Sequence, residues 1–254
     1  QMNEKETHMN LFSQRIHSSF NNLTSSITKK LSKGLFKGLV ITSAVVSLLG
    51  VSLPTQAVTY NEAYRQAYQD YLSAVNEENG ALERALAELT SLHQANPNDP
   101  LALNLLGASH TLVGRDAWMP WNKLKATEKG LELMANATRL LTPKDDQTLF
   151  LEVPVTVQVK GMAGVTYTQV PEFFNRFDQG VIWLDEALAT AAMTNVPAQR
   201  WAYLHYFRAQ AAEQEKDLIT AQQHYQSVGQ LLPGSNYAKV ANEWLAKQGV
   251  EHGQ

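Results

Sequence analysis

A recurrence of small and large residues at intervals of about 34 positions most strongly constrains how this chain can fold. Counting back from Pro97 as position 32 of a unit places Ala85 at position 20 and Leu89 at position 24. Counting back from Pro233 in the same way places Ala221 at position 20. A period of this length predicts a stack of similar helical units, because one unit alone is too small to bury its apolar face.

Apolar residues recur at three- and four-residue steps along most of the chain after residue 57, which is the period of an α-helix. The dipeptide Asn79-Gly80 and the polar stretch 96–100 interrupt this pattern and separate the first helices. Further helices are predicted from an apolar stripe at 173–191 and at 198–215, 218–232 and 237–247. The sequence therefore predicts an all-α fold.

One stretch, residues 153–159, has the alternating β-branched composition of a strand. Pro154 lies inside it, and the sequence offers no second run to pair with it. A single strand leaves its backbone groups without partners, so we interpret the stretch as a distorted helix with a proline near its start. Residues 161–164 are then predicted to form a flexible, glycine-containing connection.

The spacing resembles that of the tetratricopeptide repeat family. In a unit that begins at Pro100, Leu103, Leu106 and Gly107 fall at positions 4, 7 and 8. Small residues at positions 8 and 20 let the two helices of a unit approach each other, and large residues fill the gaps between them. The resemblance implies an α-solenoid, a right-handed superhelix of antiparallel helix pairs.

The predicted repeat domain covers residues 58–254. Its units are 66–99, 100–145 with an insertion at 114–125, a degenerate pair at 146–197, 202–235, and a capping helix at 236–248. The insertion accounts for Pro143, which closes the second unit about 12 residues later than an unbroken repeat requires. The resemblance therefore covers about half of this domain firmly, and the rest only by its rhythm of helix pairs.

The first 57 residues have the layout of a secretory signal. They hold six basic and two acidic residues, and an uncharged apolar run at 38–53 precedes the small residue Ala57. The apolar run is shorter than the about 20 residues that a spanning helix needs, so cleavage after Ala57 is the favoured interpretation. The alternative is an uncleaved anchor in the inner membrane. Either outcome places the remaining residues outside the cytoplasm, in the periplasm or secreted, and membrane contact is expected only through an uncleaved leader.

The residue types and their spacing along the chain favour a protein that is not an enzyme. There is no cysteine, and the four histidines after residue 57 other than the terminal one are isolated in sequence: His93, His110, His205 and His224. Most acidic pairs fall at helix ends or turns, where solvation explains them. Residues 58–254 hold 15 basic and 22 acidic residues, which argues against nucleic acid as a partner. No metal or cofactor is expected.

Residues on the first helix of each repeat unit are the candidate partner-binding residues. In tetratricopeptide repeats, positions 2, 5, 9 and 12 of each unit face a concave groove. In this chain the resemblance implies a peptide-binding set of Asp70, Glu77, Leu101, Asn104, Thr111, Tyr203, Tyr206, Gln210 and Glu213. The alternative is an ordinary solvated helix face.

The insertion at 114–125 supplies a second candidate set. Trp118 and Trp121 lie near Arg115, and aromatic and arginine side chains are frequent anchors of binding interfaces. The favoured interpretation is that the tryptophans pack against the second unit, and partner contact is the alternative. The aromatic residues at 171–177 are also assigned to the core, because they recur at helical spacing.

Together these patterns suggest a scaffold for protein–protein interaction in a bacterial cell envelope, with an unknown protein or peptide partner docking in the concave groove. One alternative is a small-ligand carrier or envelope enzyme built on a helical scaffold. Another is an accessory subunit of a membrane transporter or assembly machine.

Overall fold

The computed structural model describes residues 60–251, and the predicted leader with its cleavage site lies outside this range. The described residues fold into nine α-helices, which confirms the all-α prediction for this part of the chain. The helices are α1 Glu62–Val75, α2 Ala81–Ala95, α3 Pro100–Asp116, α4 Pro120–Leu140, α5 Val155–Gln169, α6 Phe177–Ala192, α7 Tyr203–Glu215, α8 Leu218–Leu231 and α9 Asn236–Glu251. None of these nine is both long and apolar enough to cross a lipid bilayer.

Polar side chains ahead of the helices explain where several of them begin. The Asn61 side chain accepts a hydrogen bond from the backbone N–H of Ala63 at the start of α1. The Asp99 carboxylate accepts from two backbone N–H groups at the start of α3, where Pro100 is the first helical residue. Asp217 caps α8 through the N–H of Thr220. Each of these residues satisfies donors that a helix leaves unpaired at its N-terminus.

The helices pack as four sequential pairs, α1 with α2, α3 with α4, α5 with α6 and α7 with α8, and α9 packs on α8. The first helix of each pair also contacts the first helix of the next pair, so that contacts run from α1 through α3 and α5 to α7. Buried apolar side chains from all nine helices form a continuous core. The pairs therefore depend on their neighbours for much of their buried surface.

Glycine allows unusually close helix contact in the two central pairs. A Cβ built on Gly107 of α3 would lie 2.7 Å from the backbone oxygen of Gly130 in α4. A Cβ built on Gly164 of α5 would lie 2.9 Å from the backbone oxygen of Gly180 in α6. The prediction that a small residue at 107 permits close packing is confirmed. The prediction that residues 161–164 form a flexible connection is wrong, because they lie buried inside α5.

Residues 149–159 combine a short hairpin with a helix. Leu149–Phe150 pairs antiparallel with Val153–Pro154, and α5 begins at Val155. The predicted helix is therefore confirmed from Val155 onward and wrong for the two preceding residues. A pairing strand of only two residues carries too little alternation to be recognised in the sequence.

The predicted insertion lengthens a helix pair. With 17 and 21 residues, α3 and α4 are the two longest helices of the described range, and only residues 117–119 separate them. The pair therefore ends in a short tip at residues 116–122, which we call the α3–α4 tip. The first pair also begins earlier than residue 66, because α1 starts at Glu62.

Candidate functional site

The predicted groove residues on α3 are buried in the core. Leu101, Asn104 and Thr111 are 1%, 0% and 3% exposed. The Thr111 hydroxyl donates to the backbone oxygen of Ala108, whereas neither polar atom of the Asn104 amide has a hydrogen-bond partner in the described part of the chain. The expectation that these three side chains line an accessible concave face is therefore wrong, because neighbouring helices cover the first helix of this pair.

The two predicted residues of the first pair have different environments. Asp70 is 5% exposed, and its carboxylate accepts from Arg84 Nε at 2.8 Å and from Gln66 Nε2 at 3.0 Å. It thus joins α1 to α2 and is not open to a partner. Glu77 is exposed and follows α1, where it adopts a positive φ of 60°.

The predicted residues of α7 participate in contacts that hold the last three helices together. Tyr206 is 9% exposed, and Gln210 Nε2 donates to its hydroxyl oxygen at 3.1 Å. Glu213 accepts from the Tyr225 hydroxyl of α8 and from Trp244 Nε1 of α9, the latter at 2.7 Å. Tyr203 is half-buried against the core. Glu213 therefore connects three helices, and a partner role for these residues stays a prediction.

Arg115 is buried and occupied at the end of α1. Its guanidinium donates to the backbone oxygens of Ala74 at 3.0 Å and Val75 at 3.2 Å, and it pairs with Asp116 at 2.6 Å. These bonds add donors to carbonyl groups at the C-terminus of α1, where Ala74 O also accepts from the backbone N–H of Glu77. The prediction that Arg115 is available for contact through the insertion is therefore wrong.

The tryptophans of the α3–α4 tip are exposed. Trp118 is 88% and Trp121 is 61% exposed, so the interpretation that they pack against the second unit is wrong. The assignment of residues 171–177 to the core is correct only in part, because Phe174 packs against the core while Phe173 is 50% exposed. The Arg176 guanidinium lies over the Tyr167 ring, 5.9 Å from its centre.

A groove of about 550 Å³ lies between α2 and α4, with α3 as its floor. The surface exposed inside it is mainly apolar, although polar and apolar residues line it in similar numbers. Its apolar lining comes from Leu82 and Leu86 of α2, Val113 and Ala117 at the end of α3, and Ala126 of α4. We call this the α2–α4 groove. It reaches the α3–α4 tip, since Ala117 and Asn122, which also line it, lie next to the two exposed tryptophans in sequence.

Charged side chains line the rims of the α2–α4 groove. Lys125 and Lys129, one turn apart on α4, contribute to one side, and Glu83 of α2 contributes to the other. Asp116, which pairs with Arg115, also lines the groove. His110 lines the groove from α3. Burial and the nearby charge of Lys129 lower the pKa of His110, so its ring is neutral at neutral pH. The arrangement can accommodate an apolar segment and pair its acidic groups with two ammonium groups.

A second polar cluster joins α7 and α8. His205 Nδ1 lies 2.8 Å from His224 Nδ1, so one imidazole donates to the other. Burial, with a smaller contribution from His224, lowers the pKa of His205 to about 4. Burial and the positive charge of Arg208 lower the pKa of His224, which the carboxylate of Asp185 opposes. The description of these histidines as isolated is wrong in space, although they are 19 residues apart in sequence.

The carboxylates around this histidine pair are already occupied. Arg208 Nε donates to Asp185 Oδ1 at 2.7 Å, and its Nη1 donates to Glu215 at 3.1 Å. Within residues 60–251, no group of three His, Cys, Asp or Glu side chains is placed to hold a metal ion. The cluster therefore has the geometry of a hydrogen-bonded link between helices α6, α7 and α8.

No family model, no curated protein and no solved structure matches this chain. The likeness to tetratricopeptide repeats accordingly depends on residue spacing alone.

Proposed function

We propose that this chain is a non-enzymatic scaffold for protein–protein interaction, built as an α-solenoid, and that the partner docks in the α2–α4 groove. The α2–α4 groove is the observation that carries the proposal. It is open, mainly apolar and rimmed by Lys125, Lys129 and Glu83, a combination typical of sites that receive an amphipathic segment. The sequence of packed helix pairs supports the solenoid, since each pair is stacked on its neighbours.

The proposed partner site therefore differs from the predicted one. It lies between α2 and α4, the second helices of the first two pairs, and not on the first helix of each pair. The first helices have little open surface at the predicted positions, because Leu101, Asn104 and Thr111 are buried. The α2–α4 groove offers apolar surface at Leu82 and Leu86 that no described side chain covers completely. A groove of this kind binds one face of a partner helix through residues spaced three or four apart.

Site-specific photocrosslinking tests the proposal. Ala126 lies in the groove and is only half-buried, so a photoreactive residue there is compatible with folding. We expect one discrete protein adduct from position 126 in cells of the source organism, and none from the matched exposed position Gln223 on α8. The purified partner, once identified from the adduct, is expected to bind at least tenfold more weakly to the double variant Lys125→Glu/Lys129→Glu.

Other results would overturn the proposal. Adducts of equal abundance from positions 126 and 223 would show nonspecific proximity. A saturable change in tryptophan fluorescence when one small molecule is added, with no protein adduct, would favour the alternative of a ligand carrier. Detectable turnover by the purified protein would favour an enzyme.

A further inference from the structure

The two exposed tryptophans of the α3–α4 tip have no structural task in the described fold. Trp118 and Trp121 are 88% and 61% exposed, and Leu124 on the next turn is 40% exposed. The other three tryptophans, Trp183, Trp201 and Trp244, are buried or pack against the core. Two neighbouring indoles at the end of a helix pair form an apolar projection of the kind that marks an interaction site.

The α3–α4 tip is held firmly although its outer surface is exposed. Lys123 Nζ donates to the backbone oxygen of Arg115 at 2.9 Å, across the base of the tip. Gly114 lies so close to α4 that a Cβ there would be 3.0 Å from the backbone oxygen of Lys123 and closer still to the Thr127 side chain. Pro120 begins α4 directly before Trp121. The indoles are therefore presented by a rigid support, which reduces the entropy lost on binding.

The α3–α4 tip together with its flanking residues differs in the sign of its charge from the rest of the chain. Residues 115–127 contain Arg115, Lys123 and Lys125 but only one acidic residue, Asp116, for a net charge of +2. Residues 58–254 together have a net charge of −7. Arg115 and Asp116 form an ion pair, so the net positive charge comes from Lys123 and Lys125. A local basic and aromatic surface on an acidic protein is complementary to a negatively charged surface.

We propose that the α3–α4 tip docks onto the surface of an anionic phospholipid bilayer. Trp118 and Trp121 enter the headgroup region, where amphipathic indole rings are favoured, and the exposed Lys125 lies beside lipid phosphates. Lys123 adds positive charge at the base of the tip while its ammonium keeps its bond to Arg115 O. The exposed indoles beside positive charge favour an anionic lipid surface, and a peptide partner already has the adjacent α2–α4 groove available. Docking would place that groove at the membrane surface.

Vesicle binding of the full chain tests this proposal. Vesicles of phosphatidylcholine alone are compared with vesicles that also contain phosphatidylglycerol, at low and high salt. Any attachment through residues 1–57 is shared by all variants, so the difference between variants reports the tip. We expect binding to the anionic vesicles to fall at least tenfold in the double variant Trp118→Ser/Trp121→Ser, and to weaken with salt for the wild type.

A matched variant controls for the loss of exposed apolar surface. Met193 and Ile219 are 82% and 73% exposed and lie outside the tip, so Met193→Ser/Ile219→Ser is expected to bind like the wild type. Circular dichroism checks that both double variants remain helical. Phosphatidylcholine brominated on its acyl chains gives a second measurement. In the wild type, this lipid is expected to quench the fluorescence of Trp118 and Trp121. In Trp118→Ser/Trp121→Ser, the remaining tryptophan fluorescence is expected to be unaffected.

Three outcomes would overturn the proposal. Equal vesicle binding by the wild type and the tip variant would show that the tip makes no lipid contact. Continued access of aqueous acrylamide to Trp118 and Trp121 on vesicle-bound protein would show the same. A change from dimer to monomer in the tip variant without lipid would identify a second copy of the chain as the occupant. Crosslinking from position 126 is independent of these results, so the groove and the tip can fail separately.

Discussion

The Nδ1 atoms of His205 in α7 and His224 in α8 lie 2.8 Å apart. Only a pair with at most one positive charge can keep this contact, because two imidazolium rings would each point a proton at the other. The charges of Arg208 and Asp185 act on His224, and Arg208 forms ion pairs with Asp185 and Glu215. The contact therefore makes the packing of α7 on α8 sensitive to pH.

Acid is expected to destabilise the folded protein through this pair. Burial lowers the pKa of His205 from 6.5 to about 4 and also lowers that of His224. Between pH 4 and pH 6.5 the folded state therefore binds fewer protons than the unfolded chain. The free energy of unfolding should therefore have its full value above pH 6.5. It should fall by about 2 kcal/mol as the pH drops toward 4. Urea unfolding at a series of pH values measures this change.

The matched variant for the pH experiment is His205→Gln/His224→Gln, which removes both titrating rings. Its stability should be lower at neutral pH but change less between pH 6.5 and 4. The difference between the two pH profiles cancels contributions from the carboxylates, which both proteins share. Parallel profiles for the wild type and the variant would refute the assignment to this pair.

Close packing at Gly107 should make this position intolerant of even a methyl group. A Cβ there would lie 2.7 Å from Gly130 O and from a side-chain carbon of Met134. Gly107→Ala is expected to destabilise the protein by about 1–3 kcal/mol, although alanine favours helices, since the backbones of α3 and α4 must separate. Thermal unfolding provides the measurement.

Gly229 in α8 is the matched control, because its nearest neighbour is only the exposed side chain of Asn242, 3.2 Å from a built Cβ. That side chain can move, so Gly229→Ala should be neutral or stabilising by up to about 1 kcal/mol. Equal destabilisation by the two substitutions would contradict the close contact of α3 with α4.

The helices could be predicted from the sequence because their signals are local. Apolar residues at helical spacing indicated α7, α8 and α9, and the polar stretch 96–100 marked the break before α3. The small residue Gly107 correctly indicated close packing. By contrast, Gly161 and Gly164 were assigned to a connection because glycine in a sequence signals flexibility as readily as close contact. Only the positions of α6, which approaches Gly164, and of α7, whose Leu204 approaches Gly161, distinguish the two.

The candidate site could not be predicted because it depends on which face of each helix its neighbours cover. The spacing assigned Asn104 and Thr111 to an open face, but contacts of α3 with four other helices bury them. His205 and His224 are 19 residues apart in the sequence. The sequence did hold a partial signal for this contact. In an antiparallel helix pair with its turn near Lys216, residues at similar distances before and after the turn lie close together.

Asp99 is expected to be one of the most sensitive single positions. Its buried carboxylate accepts from the hydroxyls of Tyr60 and Tyr64 and from the backbone N–H of Leu101 at 2.9 Å. Asp99→Ala leaves the two hydroxyls without their acceptor and removes the N-cap of α3, so we expect a loss of about 2–4 kcal/mol. Asp217 caps α8 at an exposed site, and Asp217→Ala should cost only about 1 kcal/mol.

Denaturant unfolding of the two aspartate variants checks this comparison. Equal losses would mean that the tyrosine contacts add nothing to the cap. Burial raises the pKa of Asp99, whereas its hydrogen bonds oppose that rise. Asp99→Asn keeps an acceptor oxygen and should therefore recover part of the stability lost in Asp99→Ala.

Arg115 links the α3–α4 tip to the first helix pair, and its removal should weaken that link. The Arg115 side chain is 2% exposed, and its guanidinium donates to Ala74 O and Val75 O at the end of α1. Arg115→Met keeps much of the apolar stem but leaves both carbonyl oxygens without this donor, so we expect a loss of about 2–3 kcal/mol. Hydrogen exchange should accelerate most in the last turn of α1.

Arg139→Met in exposed surroundings on α4 is the control and should change stability by less than about 0.5 kcal/mol. Unchanged exchange in α1 of Arg115→Met would show that these bonds do not hold the two pairs together.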